Sequence, residues 1–162
     1  MGNPLTSGFH IAPEAHSVVV LLNLWRCRCA PELLTGARRE ELLGLLRHAV
    51  EKAGFGVTDS DAMAFGDTVD ARNAHGATLS LTLDDSGISF DCYPEVGTVQ
   101  INLHYCNIRN SNDDKVDACV ANILEVLQPY RYRRHDPIKM EIHYDDFEQT
   151  MVYGTLPPPP KG

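Results

Sequence analysis

The residues best suited to chemistry gather in one short stretch, LDDSGISFDCYPE, Leu83 to Glu95, with a cysteine following at Cys106. The stretch holds the carboxylates Asp84, Asp85, Asp91 and Glu95 and the hydroxyl of Ser86. A carboxylate can accept a proton, and a thiol with an ordinary pKa near ~8.5 is still protonated at neutral pH and can donate one. Asp84, Asp85 and Asp91 fall close together on an expected hairpin, where burial beside other carboxylates would raise the pKa of Asp91. Asp84-Asp85-Ser86-Gly87 is either an ordinary tight turn between two apolar strands or a place where the backbone itself reacts, and the local sequence does not choose between them.

The other reactive types form no such group. Cys27-x-Cys29 and His104-x-Cys106 are soft metal-ligand types, but neither has a second pair at a recognised spacing, so no metal is expected. His10, His16, His48, His75, His135 and His143 read as surface or satisfied core histidines. No glycine-rich phosphate loop and no Gly-x-Ser-x-Gly elbow occurs.

The elements that must position these groups follow from periodicity. SVVVLLNLW, Ser17 to Trp25, is continuous and β-branched enough for a buried strand. A helix follows with Leu42, Leu45, Leu46, Ala49 and Val50 on one face, capped near Thr35 and stopped at Gly54. A strand near Ala62 to Phe65 leads through a polar loop to ATLSLTL, ISFDCY and TVQINLHYC, separated by DDSG and PEVG. Leu79, Leu81 and Leu83 alternate with Ser80 and Thr82. Val99, Ile101, Leu103 and Tyr105 alternate with Gln100, Asn102, His104 and Cys106, as one-sided antiparallel strands require. Asp113 and Asp114 open a second helix through Val116, Cys119, Val120, Ile123, Leu124 and Leu127, ending at Pro129, and IKMEIHY supplies a last strand. The order β, α, β, β, β, β, α, β predicts an α+β fold, a two-layer sandwich with both helices on one face of an antiparallel sheet.

At 162 residues and 43% hydrophobic content the chain fits one domain, expected over residues 16–154, between a loose N-terminus, 1–15, and a proline-rich tail, 155–162. A net charge of −8 argues against nucleic acid as a partner; the one basic cluster, Arg131 to Arg134, reads as a solvated connection. The longest apolar run is too short to span a bilayer and no secretory leader precedes it, so a cytoplasmic protein is expected. Five cysteines, an odd number, are then free thiols. Asp145 to Glu148 reads as a solvated acidic end.

The run ATLSLTLDDSGISFDCYPEVGTVQINLHYCN resembles the centre of the prokaryotic-type S-adenosylmethionine decarboxylases. That family has a strand ending in Glu-Ser-His, a short strand through a histidine to Trp-Pro-Glu, then a glycine and a strand ending in cysteine. The matching positions are Asp85-Ser86-Gly87, Asp91, Tyr93-Pro94-Glu95, Gly97 and Cys106, with no gap from Ser86 to Cys106. The flanking segments agree in outline, so the resemblance covers Ser17 to Leu127, its central thirty residues being the specific part.

The resemblance implies a proenzyme that cuts itself between Asp85 and Ser86 and turns Ser86 into a pyruvoyl cofactor. The Ser86 hydroxyl would attack the Asp85 carbonyl in an N-to-O acyl shift, and base-catalysed elimination of the ester followed by hydrolysis would leave the ketone. That ketone is the electron sink for loss of carbon dioxide from an amine substrate. By the same resemblance Cys106 is the proton donor in turnover, Thr78 assists processing in place of a serine, Glu95 holds the ribose hydroxyls of S-adenosylmethionine, and Tyr93 replaces a packing aromatic. A homodimer with an αββα four-layer arrangement and substrate sites near the interface is also implied, supplying aminopropyl groups for spermidine.

Besides Thr78 and Tyr93, three departures from the family bear on the chemistry. Asp85 stands for glutamate, which is tolerable because the shift uses the backbone carbonyl. Gly87 stands for histidine. Asp91 stands for the histidine that drives elimination, and a carboxylate with pKa near ~3.9 is a weak base. Two other readings therefore stay open: an uncut homologue acting as a ligand-binding or regulatory subunit, and a pyruvoyl decarboxylase of arginine or ornithine.

Overall fold

A computed structural model describes residues 15–65, 75–108 and 110–141. The proline tail, His10, His143, Asp145 to Glu148 and most of the N-terminal segment lie outside the described residues. The elements in chain order are β1 (His16–Cys27), two short 3-10 turns (Pro31–Leu34 and Gly36–Arg38), α1 (Arg39–Lys52), β2 (Val57–Ala64), β3 (Ala77–Leu83), β4 (Gly87–Tyr93), β5 (Thr98–Asn107), α2 (Asp113–Leu127), β6 (Pro129–Arg134) and β7 (Ile138–Glu141). All strand pairings are antiparallel, in the order β2-β3-β4-β5-β1-β6, with β7 also on β1. The long β1 lies beside β5 and shares its other edge between β6, from Leu22 to Cys27, and β7, from His16 to Val19.

The alternation expected of β3 and β5 is present residue for residue. Leu79, Leu81, Leu83, Val99, Ile101, Leu103 and Tyr105 are buried, together with Val18, Val20, Leu22 and Leu24 of β1 and Ile88, Phe90 and Cys92 of β4. These side chains share one core with Leu42, Leu43, Leu46, Ala49 and Val50 of α1 and Val116, Cys119, Val120, Ile123 and Leu127 of α2. Both helices therefore cover one face of the sheet, and Asn122 Nδ2 of α2 donates to the Ala49 carbonyl of α1 at 3.0 Å. The opposite face carries Thr78, Ser89, Asp91, Gln100, Asn102, His104 and Cys106, and no described element covers it.

Four local expectations are corrected. Leu43, not Leu45, belongs to the α1 core face; Leu45 is 43% exposed. Thr35 does not cap α1: its hydroxyl donates to the Glu32 carbonyl at 2.6 Å and closes the preceding 3-10 turn. The second strand runs Val57–Ala64, earlier than expected. Arg131 to Arg134 is not a connection but most of β6, its side chains exposed as expected while its backbone pairs with β1. Gly54 does end α1, at φ 95°, with its N–H bonded to the Glu51 carbonyl at 2.9 Å.

One glycine is fixed by close approach. A Cβ on Gly76 would lie 1.7 Å from the Cys92 carbonyl oxygen, where β3 begins its pairing with the end of β4. Gly76→Ala should therefore part these backbones and lower the urea midpoint at unchanged m-value, by the ~1–3 kcal/mol typical of overpacking.

Candidate active site

The DDSG segment is a hairpin tip. The Leu83 N–H donates to the Ser86 carbonyl at 2.9 Å, leaving Asp84 and Asp85 as the two exposed tip residues. A Cβ on Gly56 would lie 2.9 Å from Asp84 Oδ2, so the Asp84 carboxylate leans on the backbone just before β2. Ser86 Oγ donates to Asp85 Oδ1 at 2.8 Å. The expected carboxylate cluster is thus divided: Asp84 leans on Gly56, Asp85 accepts from Ser86, and Asp91 accepts from Thr78.

Register brings Cys106 to this tip. Gly87 is opposite His104 in the β4–β5 ladder, and continuing that ladder by two residues sets Cys106 level with Asp85. Burial raises the Cys106 thiol pKa first, and the Asp85 charge raises it further. The thiol is thus kept protonated, as a proton donor must be.

The backbone around Cys106 is held from below. Asn112 Nδ2 donates to the Cys106 carbonyl at 2.8 Å, and the Asn112 N–H donates to Asn107 Oδ1 at 2.7 Å. Tyr105 OH at 2.7 Å and Asn107 Nδ2 at 3.1 Å both donate to Asp113 Oδ1 at the start of α2. These bonds, Tyr105 first and Asn107 second, hold the Asp113 carboxyl below the usual carboxylate range. A depressed folded-state pKa adds stability that is present above the unfolded pKa and lost as pH falls through the folded one. Removing the first donor with Tyr105→Phe should therefore flatten the loss of melting temperature as pH falls below about 4, leaving a constant offset from wild type above about pH 5.

The remaining site residues lie at the other end of β4. Thr78 Oγ1 donates to Asp91 Oδ1 at 2.6 Å across the β3–β4 pair. Tyr93 meets Phe65 ring to ring at 6.0 Å between centroids. Glu95 is exposed in the turn after Tyr93, whose Gly97 carbonyl accepts from the Cys27 N–H at 2.9 Å. Four residues separate Asp91 from Gly87 along β4, about 13 Å at ~3.3 Å per residue. A single chain therefore unites Asp85, Ser86 and Cys106 at one place and Thr78, Asp91, Tyr93 and Glu95 at another.

An unexpected cavity of about 480 Å³, lined by Trp25, Arg26, Tyr130 and Arg131, lies where the end of β1 passes Gly97. Arg131 stacks over Trp25 at 5.8 Å, and Arg26 has a left-handed φ of 51° that returns Cys27 to the core side. Sequence reading missed this cavity because β6 has no apolar alternation to announce it.

All five cysteines are free. Burial pushes Cys27, Cys92 and Cys119 up to about 12, so they are inert neutral groups. No cluster of three or more metal-ligating side chains occurs among the described residues. Nor, among them, is any helix long and apolar enough to cross a membrane.

The family model for S-adenosylmethionine decarboxylase matches residues 10–136. Among solved structures, the adenosylmethionine decarboxylase from Aquifex aeolicus has a similar fold. Its TM-score is 0.56 at 21% identity, over 80% of this chain and 92% of that one. No curated protein matches the chain.

Proposed function

The chain belongs to the S-adenosylmethionine decarboxylase family, and from that premise we propose that it is a self-processing, pyruvoyl-dependent S-adenosylmethionine decarboxylase of spermidine synthesis, cut between Asp85 and Ser86. The observation that carries this reading is the register that sets Cys106 level with Asp85, with the Asp85 charge acting on the thiol. The residues fit the prosthetic group: Ser86 sits at an accessible hairpin tip, next to the exposed Asp85 whose backbone carbonyl its hydroxyl would attack, and one strand away from Cys106. Bound at position 86, a pyruvoyl ketone supplies the electron sink for loss of carbon dioxide. Cys106 then gives its proton to the substrate carbon that carbon dioxide has left.

Glu95 accepts hydrogen bonds from the ribose hydroxyls, and Tyr93, steadied by Phe65, packs on the substrate. These residues and the Thr78–Asp91 pair stand away from Ser86 in one chain, which supports a homodimer. Two uncovered sheet faces packed against each other about a two-fold axis running across the strands would bring the Glu95 end of one copy toward the Ser86 end of the other. Exposed Leu21, Ile138 and Met140 give that polar face an apolar margin to bury.

Intact-mass measurement tests this reading. It should show two fragments divided between Asp85 and Ser86, the second beginning with a pyruvoyl group, and release of labelled carbon dioxide from S-adenosylmethionine but not from arginine or ornithine. Release from arginine or ornithine instead would reassign the substrate. An uncut chain with free Ser86 would make the protein a ligand-binding or regulatory subunit, a reading favoured by the Ser86 hydroxyl being donated to its neighbour's carboxylate.

A further inference from the structure

We propose that His104 is the base that completes self-cleavage, replacing the histidine the family places where this chain has Asp91; the proposal rests on the self-processing reading above. Antiparallel partners stand about 4.5–5.5 Å apart at their Cα atoms, and His104 is the partner of Gly87, the residue next to Ser86. Its side chain is half-buried on the uncovered sheet face, two residues from Cys106 on the same side of the strand. Gly87 has no side chain to stand between, and a Cβ placed there would meet only the Leu81 carbonyl, at 3.8 Å. The glycine that replaces a family histidine thus leaves room over the strand start, and β5 supplies an imidazole at that rung.

Asp91 is the weaker candidate for the same work. Even where a second copy would carry it toward Ser86, one of its oxygens already accepts the Thr78 hydroxyl at 2.6 Å. An imidazole is also intrinsically a stronger base than a carboxylate.

The assigned step balances as follows. Ser86 Oγ attacks the Asp85 carbonyl carbon, the peptide C–N bond breaks, and the nitrogen gains a proton, giving an ester with a free amine. His104 removes the Ser86 α-proton, and the electron pair of that bond forms the Cα–Cβ double bond. The Cβ–Oγ bond breaks, and Asp85 departs as a carboxylate carrying Oγ. The enamine left on Ser86 tautomerises to an imine, and water hydrolyses it to the ketone with release of ammonia.

The test follows the full-length chain from synthesis in a cell-free reaction, in wild type and in His104→Gln, His104→Ala and Asp91→Asn. The expected result is fragment formation slowed about 10²–10⁴-fold in both His104 variants. The stalled chain should be cut between Asp85 and Ser86 by added hydroxylamine, which attacks the ester but not a peptide bond. Imidazole in the buffer should restore cutting to His104→Ala, which a merely misfolded variant would not show. Wild-type cutting rates in His104→Gln, a stalled chain that resists hydroxylamine, or an ester that accumulates in Asp91→Asn alone would each overturn the assignment while leaving the self-processing reading intact. A wild-type chain that never cuts would overturn that reading first, and this assignment with it.

Discussion

Ser86→Ala should leave a single chain of 18.0 kDa with no measurable carbon dioxide release. In the proposed reaction the hydroxyl would carry the Asp85 acyl group away from the Ser86 nitrogen, and its oxygen would depart with Asp85. Without it neither the chain break nor the ketone forms, so both readouts vanish together instead of declining in step. The fold should survive, because Ser86 contributes its backbone to the tip through the Leu83–Ser86 hydrogen bond and, among the described residues, its hydroxyl bonds only to the exposed Asp85. An unchanged melting temperature would verify this. Cut fragments from Ser86→Ala would refute the assignment of the cleavage site.

Cys106→Ala should separate the two events. Cutting proceeds, because no step of it takes a proton from the thiol, while turnover falls by about 10²–10⁴, the usual contribution of a positioned acid. KM should change little, since the thiol acts on the carbon exposed by decarboxylation. The proposed cut would itself favour the thiol's role: it would leave a new α-carboxylate on Asp85, beside a thiol whose pKa the Asp85 side chain already raises. A second negative charge there disfavours the thiolate further. Cys106→Ala with wild-type turnover would remove Cys106 from the mechanism.

The parts of the fold readable in the sequence are those whose side chains sort cleanly between core and solvent. β3, β5 and α2 each bury one regular stripe, and spacing alone gives their faces. β6 was missed because an edge strand exposed on both sides buries nothing to set a period, and β2 was placed late because Val57–Ala64 is half polar. Leu43 and Leu45 exchanged places because both lie near the margin of an apolar stripe on a 3.6-residue helix. At the site, the spacing from Ser86 to Cys106 was legible, since one hairpin connects them. The partnership of His104 with Gly87 was not: it depends on register across the PEVG turn, and a one-residue slip there would turn the imidazole to the other face.

The place of β1 in the sheet decides what a cut chain can become. A break at Asp85–Ser86 leaves β1, α1, β2 and β3 in the first piece and β4, β5, α2, β6 and β7 in the second. Yet β1 is inserted between β5 and β6, and β3 zips to β4, so each piece supplies strands on which the other closes. Neither piece holds a whole core. The two should travel as one body through any native separation, part only in denaturant, and regain the fold at a rate that depends on their concentration. What one chain builds by a first-order search, its halves can rebuild only by meeting.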